Sequence, residues 1–172
     1  MFTRDGESTK IATAVEPNVG LGVDARHAIA TILNHRLADT VVLYQKTRNY
    51  HWNVRGPRFQ PLHEFFETQY DQLEEAIDEI AERVRQVGGN ACGTLTEYIQ
   101  MSALKEYPGE VPSEQDMIAN LLIDHETVIR QLREDVDATA DDYHDMGTSD
   151  FLTGLMEAHE KMAWMLRAFL EA

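Results

Sequence analysis

The chain has 172 residues, 43% of them hydrophobic, with 15 basic against 30 acidic side chains for a formal charge of −15, which fits one domain with a core of ordinary size. Such a charge attracts cations and repels nucleic-acid phosphates, which argues against a basic nucleic-acid-binding surface. The single cysteine, Cys92, cannot form an internal disulfide, no run approaches a membrane span, and the start MFTRDGESTK has no apolar signal segment, so a cytoplasmic protein without a membrane partner is expected.

Residues 1–22 are read as a flexible N-terminal tail and residues 23–172 as one helical domain. From Asp24 through Trp52 apolar residues recur at helical spacing (Ile29, Ile32, Leu33, Leu37, Val41, Leu43, Tyr44) without an intervening proline, which predicts a first long helix. Gly56-Pro57 punctuates the chain, Pro61 fits the first turn of a second helix, and Gly88-Gly89 ends it. The stretch from Gly89 to Pro112 is too long for a helix hairpin and can hold a short helix over Thr96 to Leu104. Ser113, with Asp116 three residues on, predicts the cap of a third helix reaching about Ala140. The Thr148-Ser149 pair predicts the cap of a fourth, amphipathic through Leu152, Leu155, Met162, Leu166 and Phe169. Four long helices with one long crossover predict an all-α, ferritin-like four-helix bundle rather than an up-down-up-down bundle with only short loops.

Within this frame His51, His63, Asp78 and Glu82 read as two half-sites for a metal. At about 1.5 Å per residue, His63 and Asp78 stand roughly 22 Å apart on one helix and cannot share an ion within a chain. Asp78 and Glu82 lie one turn apart on the same face, while the two histidines flank a turn. An antiparallel two-fold dimer would bring the histidines of one subunit to the carboxylates of its mate. Imidazole with carboxylate suits Fe(II), Zn(II) or Mn(II), and iron fits best as a redox metal. The usual intrachain di-iron centre needs two Glu-x-x-His motifs, and none is present; Asp141-x-x-His144 is the nearest approach. At about 100° per residue Glu67, Asp71, Glu74, Glu75, Asp78 and Glu82 fall within an arc of roughly 100°, with His63 beside it. The bland reading is a solvated helix face. The stripe lacks the lysines that normally pair with glutamate, however, so a cavity lining in which Glu67, Asp71, Glu74 and Glu75 nucleate mineral is expected.

The segment HWNVRGPRFQPLHEFFE, followed by Asp78-x-x-x-Glu82 and Arg83 and later by HEKMAWML from His159, resembles the Dps family, the miniferritins named as DNA-binding proteins from starved cells. The likeness runs from about Val23 to Ala172. It implies a hollow homo-dodecamer with a ferroxidase site at each two-fold interface, Fe(II) oxidation with hydrogen peroxide preferred over dioxygen, and storage of ferric mineral. Carried over by residue, His51 and His63 come from one subunit and Asp78 and Glu82 from the other, with Glu82 holding iron most tightly and Glu67 a weaker ligand. Trp52 is implied as an aromatic electron donor, with a buried interface anchor as the alternative. Asp145 and Asp150, near Asp141 and Asp142, are implied to surround a three-fold entry pore, or else simply favour a helix N-terminus.

His27, His35, His125 and His144 lack a ligand partner at useful spacing and are expected in ordinary surface or core roles, His159 is expected to be structural, and Cys92 a free thiol. Two other functions stay open: a nucleoid protein whose metal site only stabilises the dimer, and a bundle stapled by zinc, which would compete for the same donors. Family members that condense DNA use lysine-rich tails, whereas up to Gly20 this chain has Arg4 and Lys10 against Asp5, Glu7 and Glu16, and after Trp164 only Arg167 and Glu171. Direct DNA binding is therefore expected to be weak or absent at physiological salt. A gel shift of duplex DNA by sub-micromolar protein without added divalent cation would overturn that expectation.

Overall fold

A computed structural model describes residues 16–171 of the chain. The flexible tail expected for residues 1–22 therefore lies largely outside the described residues. Helices α1 (Val23–Asn53), α2 (Phe59–Gln86), α3 (Leu95–Met101), α4 (Glu114–Asp137) and α5 (Met146–Leu170), with a π-helical turn at Ala138–Asp142, make up the secondary structure, and no strand occurs among the described residues. The all-α fold expected from sequence is thus observed.

Two helical hairpins, α1 with α2 and α4 with α5, pack side by side, and α3 lies across α1 in the long crossover. Buried cations tie α1 to α4: Lys46 Nζ sits 2.5 Å from Asp124 and donates to the Lys105 carbonyl at 2.6 Å, and Arg36 Nε lies 3.2 Å from Asp135. In α3, which starts one residue and ends three residues before the expected bounds, Thr94 Oγ1 accepts from the Glu97 amide while the Glu97 carboxylate accepts from the Thr94 amide. This reciprocal cap is what allows a seven-residue helix in a crossover.

Two expectations about helix ends are corrected. The cap of α5 is Asp145, three residues before the expected Thr148-Ser149 pair: its carboxylate accepts from the Thr148 amide at 3.0 Å and from the Thr148 hydroxyl at 2.5 Å. An ionised acceptor outcompetes a hydroxyl for an orphan amide, so the helix starts a turn earlier. At the end of α4 the chain widens into the π turn at Ala138–Asp142, and Ser149 Oγ donates to the Val136 carbonyl instead of capping.

The core divides in two along the bundle. One apolar cluster holds Ile29, Leu33, Leu37, Ile80, Val84, Val128, Leu132 and Leu152, and the other Leu43, Leu62, Phe66, Leu73, Leu121, Met162 and Leu166. Each fully buried large side chain stabilises the fold by about 1.5–3 kcal/mol. Between the clusters, α1 contributes Thr40, α4 His125 and α5 His159, all essentially inaccessible to solvent.

Candidate metal centre

The turn between α1 and α2 sets the first half-site. Gly56 has a φ of 125°, and a Cβ there would come within 2.9 Å of Glu114 Oε2. Only glycine allows so tight a reversal against α4, which Arg58 then locks by donating to Glu114 at 2.8 Å and to the Phe169 carbonyl at 3.1 Å. The reversal places His51, in the last turn of α1, against His63, in the first turns of α2.

Their rings stack with centroids 3.7 Å apart and planes 20° from parallel. His51 Nδ1 is 2.8 Å from the His63 carbonyl and His63 Nδ1 is 2.9 Å from the His51 carbonyl. A carbonyl only accepts, so both Nδ1 atoms carry hydrogen and donate, which fixes the tautomer and leaves each Nε2 lone pair free to bind a metal. Phe59 stacks on His63 at 5.2 Å, and Tyr70 meets the His51 ring edge-on at 5.2 Å. The imidazoles are thus oriented before any ion arrives.

Asp78 and Glu82 lie farther along the unbroken α2, both exposed. Fifteen residues at about 1.5 Å each put Asp78 roughly 22 Å from His63. Among the described residues, no three His, Cys, Asp or Glu side chains of one chain form a metal-sized group. Glu67, Asp71, Glu74 and Glu75 are exposed on the same helix, and among the described residues none of these six carboxylates makes an ion pair. Arg83 turns to Asp145 and Thr148. Two tyrosines share the neighbourhood: Tyr70 donates to Glu67 at 3.3 Å and packs edge-on against Tyr44 at 6.1 Å. Burial first, then the nearby Glu67 and Asp71 charges, hold the Tyr70 phenol above its ordinary pKa.

Trp52 is 57% exposed and carries the Arg48 guanidinium over its face at 5.0 Å. Asp141, Asp142 and Asp150 are all exposed, whereas Asp145 is buried, capping α5 and paired with Arg83. Cys92 is half-buried, and burial raises its thiol pKa. Sequence reasoning missed Tyr70 and Arg48, and it also missed the contact of His125 with His159, whose Nδ1 atoms are 2.9 Å apart. A tyrosine one turn beyond Glu67 was the available signal for the first; nothing in a 34-residue separation announces the last.

Helices, crossover and interhelical histidine pair define a ferritin-like bundle. The family model for the ferritin-like domain matches residues 30–172. A low-temperature-induced protein of Nostoc is 51% identical over 154 residues, covering 90% of this chain and 86% of that protein. DNA protection during starvation protein 2 of Bacillus anthracis is 39% identical over 143 residues, covering 83% and 96%. A Vibrio cholerae Dps structure, described as a member of a broad superfamily of ferritin-like diiron-carboxylate proteins, superposes with a TM-score of 0.85 at 30% identity, covering 92% of this chain and 99% of that one. The chain belongs to the Dps family of miniferritins. None of the helices among the described residues is long and apolar enough to cross a membrane.

Proposed function

We propose that this protein is a miniferritin ferroxidase, which takes Fe(II) as substrate, oxidises it with hydrogen peroxide in preference to dioxygen, and stores the ferric product inside a homo-dodecamer. The observation that carries the reading is the reciprocal pinning of His51 and His63, which leaves two free Nε2 donors beside a helix whose carboxylates stand unpaired. Two-fold pairing of subunits supplies Asp78 and Glu82 from a second chain, since an isologous interface exchanges unlike patches reciprocally. Glu82 is the firmer anchor, and Glu67, one turn after His63, a weaker one. Neutral imidazole plus carboxylate accommodates both Fe(II) and Fe(III), and the same set takes zinc as a competing ion. Asp71, Glu74 and Glu75 offer unpaired oxygen ligands on which ferric ion can nucleate. Asp150, with Asp141 and Asp142, is the entry path this reading favours, because the Asp145 carboxylate is already engaged. Consuming peroxide and ferrous ion together limits Fenton chemistry, and the net charge of −15 argues for a function that does not need direct DNA contact.

Stopped-flow oxidation of Fe(II), loaded anaerobically and mixed with peroxide or dioxygen, tests the proposal when particle size is measured on the same sample. Fast peroxide-dependent oxidation in a particle of dodecamer size is expected. Oxidation no faster than in protein-free buffer would leave the four residues holding a structural ion, zinc foremost, and would overturn the assignment.

A further inference from the structure

The function proposed above raises a question that the aromatic residues around His51 answer. Two Fe(II) ions can together reduce one peroxide, but a site holding a single Fe(II) has one electron to give, and a one-electron reduction releases hydroxyl radical. A nearby side chain must then supply the second electron. Sequence resemblance points to Trp52 for this role.

The electrostatics of the site point elsewhere. An oxidised aromatic ring carries a positive hole, which a neighbouring cation disfavours and a neighbouring anion favours. Arg48 lies over the Trp52 ring at 5.0 Å and over the Tyr44 ring at 5.7 Å, and it also donates to the Tyr44 hydroxyl at 2.8 Å. Both rings are therefore made harder to oxidise by the same guanidinium. Trp52 follows His51 in sequence but is turned about 100° from it on the helix. Arg48 acts on Tyr70 as well, but the nearer Glu67 and Asp71 charges outweigh it there. The Tyr70 ring meets the His51 ring edge-on at 5.2 Å with planes 85° apart, so it borders the metal-binding imidazole directly. Its hydroxyl donates to Glu67 Oε1 at 3.3 Å, which gives the phenol proton a place to go as the electron leaves.

We propose that Tyr70, and not Trp52, is the side chain that donates the second electron to peroxide when one Fe(II) occupies the site. This inference rests on the ferroxidase reading. In the step, Fe(II) and Tyr70 each give one electron to hydrogen peroxide, the O–O bond breaks to two hydroxide ions, and the phenol proton passes to the Glu67 carboxylate. The products are Fe(III), a neutral tyrosyl radical and protonated Glu67. A later Fe(II) returns the electron, Glu67 returns the proton, and the cycle closes without free hydroxyl radical. Arg48 confines the hole to Tyr70 by opposing its transfer to Tyr44, although the two rings are 6.1 Å apart.

Freeze-quench EPR tests this on the assembled protein loaded with less than one Fe(II) per site and mixed with peroxide. The wild type is expected to show a tyrosyl signal that narrows when the protein is labelled with ring-deuterated tyrosine. Tyr70→Phe, which keeps the ring against His51, is expected to lose that signal and to release hydroxyl radical to a spin trap, whereas Tyr44→Phe keeps the signal. A tryptophanyl signal in the wild type, or a tyrosyl signal surviving in Tyr70→Phe, would overturn the proposal. Fe(II) consumed by the protein and peroxide with no aromatic radical overturns this inference alone, while no protein-dependent consumption overturns it together with the ferroxidase reading.

Discussion

Subunits carrying His51→Ala and subunits carrying Asp78→Ala should each lose rapid Fe(II) oxidation, and should recover part of it when assembled together. Removing groups that merely orient a metal ligand costs about 10–100-fold, so deleting a ligand itself should cost at least about 100-fold. His63 and Asp78, roughly 22 Å apart along α2, cannot serve one ion in one chain. A mixed dimer therefore has one site that lost both changed groups and one that retains His51, His63, Asp78 and Glu82 intact. With random pairing half the dimers are mixed, and about a quarter of the wild-type rate should return. A site built within single chains gives no recovery, and that result would break the intersubunit assignment. Both parent variants should keep wild-type particle size; dissociation on loss of either side chain would favour the structural-zinc alternative instead.

Much of this architecture was legible because it is written in local spacing. Apolar periodicity marked α1, α2, α4 and α5, and Gly56, Pro61, Ser113 and Gly88 marked their ends, since each acts on the backbone within a few residues of itself. The cap of α5 was misplaced although it is local: Asp145 accepts from the Thr148 amide three residues on, and an ionised acceptor outcompetes the Thr148 and Ser149 hydroxyls for that orphan donor. The separation of the two proposed half-sites was legible for a different reason. Distance along a straight helix is fixed by geometry, so the inability of His63 to meet Asp78 follows from numbering alone. What sequence could not supply was the tautomer: that His51 and His63 each donate to the other's backbone carbonyl depends on how the Gly56 turn closes. Nor could it show which aromatic side chain borders the imidazole. Trp52 is adjacent in sequence but turned about 100° around the helix, whereas Tyr70 is 19 residues distant and touches.

The mid-bundle histidines carry a second large effect, on stability. His125 and His159 sit between the two apolar clusters with their Nδ1 atoms 2.9 Å apart, one donating to the other. His125 Nε2 has no hydrogen-bond partner among the described residues. Charging either ring puts a cation where water cannot reach it. Burial, reinforced by the Arg36 charge, lowers the pKa of His159 from 6.5 to about 4, and burial followed by His159 itself lowers that of His125 well below the ordinary value. The unfolded chain thus binds these protons first as pH falls. The contribution is fully present above pH 6.5 and is lost progressively down through pH 4, amounting for His159 to about 2 kcal/mol by pH 5 and about 3 kcal/mol below pH 4. Asp124 and Asp135, whose carboxyls burial raises, act in the opposite sense, so the wild type must be compared with a variant that lacks the pair. Denaturant unfolding of His125→Leu/His159→Leu at fixed protein concentration should lose much less stability than the wild type between pH 6.5 and pH 4, because leucines of similar volume join the flanking apolar clusters without a group to charge. Parallel stability curves for the two proteins across that window would show that the buried pair does not govern acid sensitivity.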